Sequence, residues 1–138
     1  MTKNIVTALG LLLLLGTGHP ATAQTFSDYL STAETKFNSG DYSGAIEDCS
    51  KAIELNPENA IAYYNRGGAK LRQENYRGAI EDYSKVIELN PEFVIAYYNR
   101  GNARYALEDY RGAIGDYTKA LVLSKLLLTT TEEMLNMH

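Results

Sequence analysis

The sequence predicts an all-α fold, a stack of antiparallel helix pairs present in three copies, and three observations carry that prediction. The heptapeptide Ile-Ala-Tyr-Tyr-Asn-Arg-Gly occupies residues 61–67 and again 95–101. Around it, residues 57–90 and 91–124 align without a gap and share 20 identities in 34 positions. A more diverged copy precedes them, where Asp41-Tyr42 and Gly44-Ala45-Ile46-Glu47-Asp48 answer Asn75-Tyr76 and Gly78-Ala79-Ile80-Glu81-Asp82. Repetition at a fixed period of tens of residues marks a stacked array, because each unit is too small to bury its own apolar faces and must shield its neighbour's.

From the N-terminus, Lys3, an apolar run from Ile5 to Leu15, and Ala21-Thr22-Ala23 before Gln24 form the three parts of a secretory signal peptide over residues 1–23. The apolar run is too short for a bilayer-spanning helix, and Gln24 offers no thiol for a lipid anchor. The expectation is an exported chain, periplasmic or secreted, with no stable membrane insertion after cleavage. Removing residues 1–23, which hold Lys3 and no acid, leaves 115 residues and takes the net charge from −4 to −5. The single cysteine, Cys49, excludes an internal disulfide, so packing alone must hold the fold.

The array is expected over residues 24–124, with copies at about 26–59, 60–93 and 94–124, followed by a tail or partial capping helix at 125–138. Each copy reads as two helices. In the central copy Tyr76, Ala79, Ile80, Tyr83, Val86 and Ile87 recur at spacings of three and four, which lays one apolar stripe along a helix. Asp41, Asn75 and Asp109 stand at N-cap positions. Pro57 and Pro91 end the preceding helices at Asn56 and Asn90, since proline disfavours helical geometry before it and donates no amide. The first helices run from about Ala60 to Arg72 and from Val94 to Leu107.

The period of 34 and the order aromatic, small residue, alanine, aromatic, proline resemble the tetratricopeptide repeat. The matching residues are Tyr63, Gly67, Ala79, Tyr83 and Pro91 in the central copy, and Tyr97, Gly101, Ala113 and Tyr117 in the last. In the first copy they are Tyr29, Ala33, Ala45, Cys49 and Pro57. The resemblance covers about Phe26 to Ser124 and implies a right-handed superhelical solenoid. The small residues let the two helices of a copy approach closely, with the aromatics filling the space beside the crossing.

Two departures stand out. Where the family has leucine before the small residue of the first helix, this chain has Thr32, Arg66 and Arg100, with Lys36, Lys70 and Arg104 four residues later. The arginines are expected to lay their stems on the packed surface and to pair with Asp48 and Asp82 of the preceding copy. After Leu123, Ser124-Lys125 replaces the Asn-Pro that ends the other copies, and Leu126-Leu127-Leu128 follow. Either these leucines tuck against the last copy, with a short helix starting near Thr131, or they leave an exposed apolar end that associates with a second copy. A truncated relative of a longer array has the same appearance.

Chemistry is sparse. The two histidines are His19, inside the expected signal peptide, and His138, so no Cys-His or Ser-His-Asp set and no His/Cys metal site can be assembled. The recurring acidic pairs Glu47-Asp48 and Glu81-Asp82 read as a solvated helix face, and Cys49 as a small core residue. A net acidic chain lacks the basic stripe that nucleic acid requires. No cofactor, no metal and no catalysis are expected.

What remains is a binding surface. The resemblance implies that the first helices line a concave groove for a peptide or partner helix. On that reading Tyr64, Asn65, Gly68, Leu71 and Arg72 face the groove, with Tyr98, Asn99, Asn102, Tyr105 and Ala106 from the last copy. Asn65 and Asn99 offer amides to a ligand backbone, and Tyr64 and Tyr98 offer rigid apolar area, or else serve packing as Tyr63 and Tyr97 do. Family members that grip a terminal carboxylate place lysines and arginines where this chain has Leu30, Glu34, Ile95 and Asn99, so a neutral, tyrosine-rich groove is expected. The reading is a non-catalytic protein-binding adaptor or assembly factor, with a homo-oligomer through the C-terminal end as the alternative. The spelling Ala-Tyr-Tyr-Asn-Arg-Gly is similar to repeats common in photosynthetic and other bacteria, which makes a bacterial, even cyanobacterial, source the expectation.

Overall fold

The computed structural model describes residues 23–137, so the expected signal peptide lies, but for Ala23, outside the described residues. Six helices make up this part of the chain: α1 (Phe26–Asn38), α2 (Tyr42–Leu55), α3 (Ala60–Arg72), α4 (Tyr76–Leu89), α5 (Val94–Ala106) and α6 (Tyr110–Asn136). They pack as three antiparallel pairs, α1 with α2, α3 with α4 and α5 with α6. Across successive pairs the first helices α1, α3 and α5 also touch one another directly, whereas α2, α4 and α6 do not. The first helices therefore form the inner wall of a curved stack.

Local chemistry sets the element bounds. Asp41, Asn75 and Asp109 each accept from the backbone amide three residues on, at Gly44, Gly78 and Gly112, at 2.9 to 3.1 Å. At Gly112 a Cβ would meet the Asp109 carboxylate, so a larger residue there would have to move the cap. Thr25 and Asp28 close a full capping box on α1. The turn inside each pair needs one left-handed residue, Gly40 in the first copy (φ 86°), but Glu74 (φ 61°) and Glu108 (φ 62°) in the others. A side chain is strained in that region where glycine is not.

The core runs along the expected stripe. Ala79, Tyr83 and Val86 of α4 are fully buried with Ala96 and Ala103 of α5, and Tyr76, Ile80 and Ile87 pack against them. At the crossings, a Cβ on Gly67 would stand 3.1 Å from Tyr83 Cε1, and one on Gly101 2.7 Å from Tyr117 Cε1. The aromatic ring lies against the opposing backbone, and no larger residue fits without moving it. Tyr63 and Tyr97 serve packing as expected, and their hydroxyls donate to the carbonyls of Pro57 and Pro91 at 3.0 Å.

The structure corrects the expected ion pairs. Arg66 does not reach Asp48. Its guanidinium forks onto Asp82 of its own second helix, with Nε to Oδ2 at 3.0 Å and Nη2 to Oδ1 at 2.7 Å. Arg100 grips Asp116, not Asp82, at the same two distances. The remaining nitrogen, Nη1, donates to a serine on the preceding copy's second helix, Ser50 for Arg66 and Ser84 for Arg100. Lys70 and Arg104, one turn further on, add a second cation to the same carboxylates at 2.8 Å. In the first copy Thr32 replaces the arginine, and Lys36 alone faces Asp48, 2.7 Å from its Oδ2 but poorly aligned for a hydrogen bond.

A second correction follows. Glu47 and Glu81 are exposed, but Asp48, Asp82 and Asp116 are buried to 5%, 3% and 4% exposure. The acidic pairs are not one solvated face, because the second acid points inward to meet the cations. Burial raises the pKa of Asp48, but Lys36 and Thr32 more than offset it, so the carboxyl stays below its ordinary range.

The end of the array also differs from one expectation. No separate helix begins near Thr131. Without Asn-Pro at 124–125, nothing stops α6, and it continues unbroken to Asn136. Of the two fates open to the leucines, the structure shows the exposed one: Leu126, Leu127 and Leu128 are 57%, 50% and 65% exposed.

Three outcomes test these devices. Arg100→Ala strands a buried carboxylate with Arg104 as its one remaining cation, and urea unfolding is expected to show a loss of about 1–3 kcal/mol. A double-mutant cycle is expected to show coupling of Arg100 with Asp116 and none with Asp82. Glu74→Gly relieves the left-handed turn and is expected to raise stability by about 0.5–1 kcal/mol in the same assay.

Candidate functional site

A cleft of about 510 Å³ opens in the inner wall beside α1 and α3. Its floor and sides come from five helices. Ala33, Glu34, Phe37 and Asn38 belong to α1, Ala45 and Cys49 to α2, and Tyr64, Asn65, Gly68, Leu71 and Arg72 to α3. Tyr83 reaches in from α4 and Asn99 from α5.

The period of the repeat explains why the cleft lies here. Cys49, Tyr83 and Tyr117 are equivalent, as are Glu34, Gly68 and Asn102. Cys49 puts a thiol where the other copies have a phenol, and Gly68 puts a bare backbone where they have Glu34 and Asn102. Volume missing at two equivalent positions leaves an open space that the last copy fills with Tyr117 and Asn102. Those two close on each other, with Tyr117 Oη donating to Asn102 Oδ1 at 2.7 Å.

Of the residues expected to face the groove, Tyr64, Asn65, Leu71, Arg72 and Asn99 line this one cleft, as does Gly68. Tyr64 does two jobs. Its ring packs at 5.2 Å from Phe93 and 6.0 Å from Tyr83, and its hydroxyl accepts from Asn99 Nδ2 at 3.4 Å. Arg72 is exposed at the rim, its guanidinium 5.4 Å from the centre of the Tyr42 ring. Tyr98, Asn102 and Tyr105 sit on α5 outside the cleft. Tyr98 is half exposed beside Tyr117, Asn102 is engaged by Tyr117, and Tyr105 stacks edge-on with Tyr110 at the turn of its own pair.

Sequence reasoning missed Phe37, Asn38, Ala45, Cys49 and Tyr83 as walls of the cleft. Phe37 and Asn38 come from the diverged first copy, and the others read as core. Comparing the copies at positions 49, 83 and 117 carries the signal, because a lone small residue in a column of tyrosines marks missing volume.

The electrostatics are those of a neutral, partly apolar cleft. Glu34 and Arg72 contribute one charge of each sign. Tyr83 is fully buried and its hydroxyl has no hydrogen-bond partner. Burial, then the neighbouring Tyr64, push its pKa well above the ordinary phenol value, and the nearby Asn99 amide, turned toward Tyr64, draws it back only slightly. Burial likewise pushes the Cys49 thiol from 9.0 to about 11, against the pull of Arg66. Among the described residues no group of three or more His, Cys, Asp or Glu is placed to hold a metal ion, and no helix is long and apolar enough to cross a membrane.

Cys49 gives a direct check. A thiol held protonated inside the fold is expected to resist iodoacetamide at pH 8 and to react once urea unfolds the chain. Because the folded thiol is the weaker acid, the stability it contributes is whole below pH 9 and declines as the pH rises toward about 11. Cys49→Ala is expected to remove that part of the alkaline loss in urea titrations.

Comparisons with known proteins agree with this geometry. A family model described as TPR repeat matches residues 34–74 and 69–108, more than half of the chain, and one described as tetratricopeptide repeat matches 94–125. A search of curated proteins returns no match. Among solved structures, a crystal structure of MamA is 28% identical with a TM-score of 0.75, covering 76% of this chain; this chain spans 61% of that one. The second TPR of Spaghetti (RPAP3), bound to the HSP90 peptide SRMEEVD, is 29% identical with a TM-score of 0.70, covering 72% of this chain and 93% of that one. The TPR2B domain of yeast Sti1, in complex with pHsp70, is 25% identical with a TM-score of 0.72, covering 79% and 87%. On its helix pairs, its repeat period and these matches, the chain belongs to the tetratricopeptide repeat family.

Proposed function

We propose that this chain is a non-catalytic interaction module, an adaptor or assembly factor, that holds a partner peptide or helix in the groove lined by α1, α3 and α5. The observation that carries this reading is the 510 Å³ cleft in the inner wall, walled by tyrosine, phenylalanine and amide side chains. Such a surface offers rigid apolar area with polar tips, which suits a polypeptide better than a small charged metabolite. One of the similar solved structures is described as bound to a peptide and another as a complex with pHsp70, which supports the same use of the fold here.

Ligand chemistry follows from the wall. Leu30, Glu34, Ile95 and Asn99 stand where a terminal-carboxylate grip needs cations, and Arg72 is engaged with Tyr42. A neutral segment fits this groove better than an acidic tail. Export to a periplasm or the cell exterior belongs to the same proposal and rests on the three-part character of residues 1–23.

A second reading has its own observation. Ile114, Leu121, Leu128 and Leu135 recur every seven residues along α6 and are 65%, 59%, 65% and 72% exposed. A stripe of that kind suits self-association between copies of the chain.

Three measurements test these readings. Crosslinking capture in the native compartment is expected to lose its main product in a Tyr64→Ala, Asn99→Ala variant; unchanged products would move the site off the inner wall. The mature protein is expected to begin at Gln24 by N-terminal sequencing. Light scattering separates the second reading: a monomer at every concentration disposes of it, and an oligomer dispersed by Leu128→Glu supports it.

A further inference from the structure

We propose that two copies of this chain pair through α6, antiparallel about a two-fold axis near Ser124, so that residues 125–136 of each copy cover Ile114 and Leu121 of the other. The inference rests on the self-association reading above and specifies the surface and the symmetry used.

The repeat shows what those two residues lack. Ile114 and Leu121 stand one period after Ile80 and Ile87, which are half-buried and pack against the cluster that α4 forms with Ala96 and Ala103 of α5. In the first copy Ile46 and Ile53 are half-buried in the same way, on the helix that α3 packs against. On α6 the same face is 65% and 59% exposed. Its covering helix is missing. Inside the array that cover is the next helix, which follows a short turn and runs back along the one before it. After Leu123, α6 makes no such turn, and Leu127-Leu128, one period after Phe93-Val94, continue straight on in the same helix. One copy therefore holds both the open face and a helix to cover it, but in line with each other. Two copies laid in opposite directions bring them together and repeat the antiparallel contact that α5 makes with α4.

The other end of the array does not fit this face. A head-to-tail stack would set α1 of a second copy where the next first helix belongs, yet α1 is polar at the matching positions. Where α5 carries Phe93, Ala96 and Ala103, α1 carries Thr25, Asp28 and Thr35, all exposed. Asp28 closes the capping box with Thr25, and covering it with isoleucine and leucine would strand a carboxylate. α6 is left to complement itself, and pairing of one surface about a two-fold axis closes at the dimer.

The seam is ready to be buried. Ile114, Leu121, Leu128 and Leu135 recur every seven residues over about 30 Å of helix. Between them, Ser124 and Thr131 are small, and their hydroxyls already donate to the carbonyls of Ala120 and Leu127 at 2.9 and 2.8 Å. Closing the seam therefore leaves neither hydroxyl without an acceptor.

The test is crosslinking of introduced cysteines in the processed chain with a short bis-maleimide, followed alongside by light scattering. The native Cys49 is buried, and the unaltered chain is the control. Ser124→Cys, which leaves all four apolar residues in place, is expected to link two copies. Ile114→Cys is expected to link to Leu135→Cys when the two variants are mixed but not to itself, because antiparallel pairing holds the two copies of residue 114 about 30 Å apart. Leu128→Glu is expected to raise the dissociation constant about tenfold or more, since it places two charges in one apolar seam. Ile114→Cys linked to itself would show a parallel pair, and Asp28→Cys linked to Ile114→Cys a head-to-tail stack. Either result, or an oligomer that none of the α6 cysteines links, overturns the inference while the self-association reading stands. A monomer at every concentration removes that reading and the inference together, so the two failures are distinguishable.

Discussion

The structure depends on one side-chain arrangement, a guanidinium that ties three helices at once. Arg66 leaves α3, forks onto Asp82 of α4 and donates its last nitrogen to Ser50 of α2. Arg100 repeats this one period on, from α5 to Asp116 of α6 and Ser84 of α4. The fork within a pair fixes how the first helix sits on the second, and the third bond fixes how that pair sits on the one before. Apolar stripes supply most of the driving force for stacking but tolerate sliding, since dispersion and burial are not directional. A planar fork of donors is directional, and a misplaced pair would strand a carboxylate that is buried to a few per cent exposure. The clamp thus specifies register, while the stripes supply stability.

Because that register is fixed, a change of side-chain volume at one equivalent position cannot be absorbed by a shift of the helices. It appears as shape. Cys49 in place of tyrosine and Gly68 in place of asparagine remove volume beside the same crossing, and the rigid frame converts the loss into the cleft between α1 and α3. The tyrosine pairs at the next crossing show what a filled position looks like: Tyr98 against Tyr117 at 5.7 Å, with Asn102 closing the hydroxyl. Repetition builds the scaffold, and its interruption makes the cleft.

This division also explains how far the sequence could be read. Helix bounds followed from proline, N-caps and the three-and-four spacing, because those signals act within a few residues. α3 begins at Ala60 and ends at Arg72, and α4 stops at Leu89 before Asn90. The arginine clamp was half legible. The residue types at 48, 66, 82 and 100 announced ion pairing, but the choice between Asp48 and Asp82 for Arg66 depends on which way a long side chain leans across a crossing, and the one-dimensional pattern does not hold that direction; Asp116 and the second cations, Lys70 and Arg104, were not foreseen. The cleft was legible only in part for a related reason. Tyr64, Asn65 and Asn99 repeat with the period, Leu71 and Arg72 follow on the same helix, and all could be placed on the inner wall, whereas Phe37 and Asn38 come from the copy that diverged most. Tyr83 reads as core, which it is, and its orphaned hydroxyl becomes visible only when its neighbour at 68 is known.

The same reasoning accounts for the asymmetry of the two ends. At the start, Thr25 and Asp28 close α1 with a capping box, and the first copy carries the weakest clamp, Lys36 without an arginine beside it. At the other end, Arg100 and Arg104 double the grip on Asp116, and α6 continues past the position where Pro57 and Pro91 end its counterparts. A helix released from its proline carries the face it packs against α5 beyond the end of that partner. Along α6 that face passes from buried Ala113 and Ala120 to exposed Leu127 and Met134, the same seven-residue step with nothing packed against its second half. The last copy is therefore firmly held inside and unfinished outside, while the first copy is loosely clamped and lies beside the cleft. In an array whose frame transmits register, missing volume falls at the permissive end, and the cleft lies there.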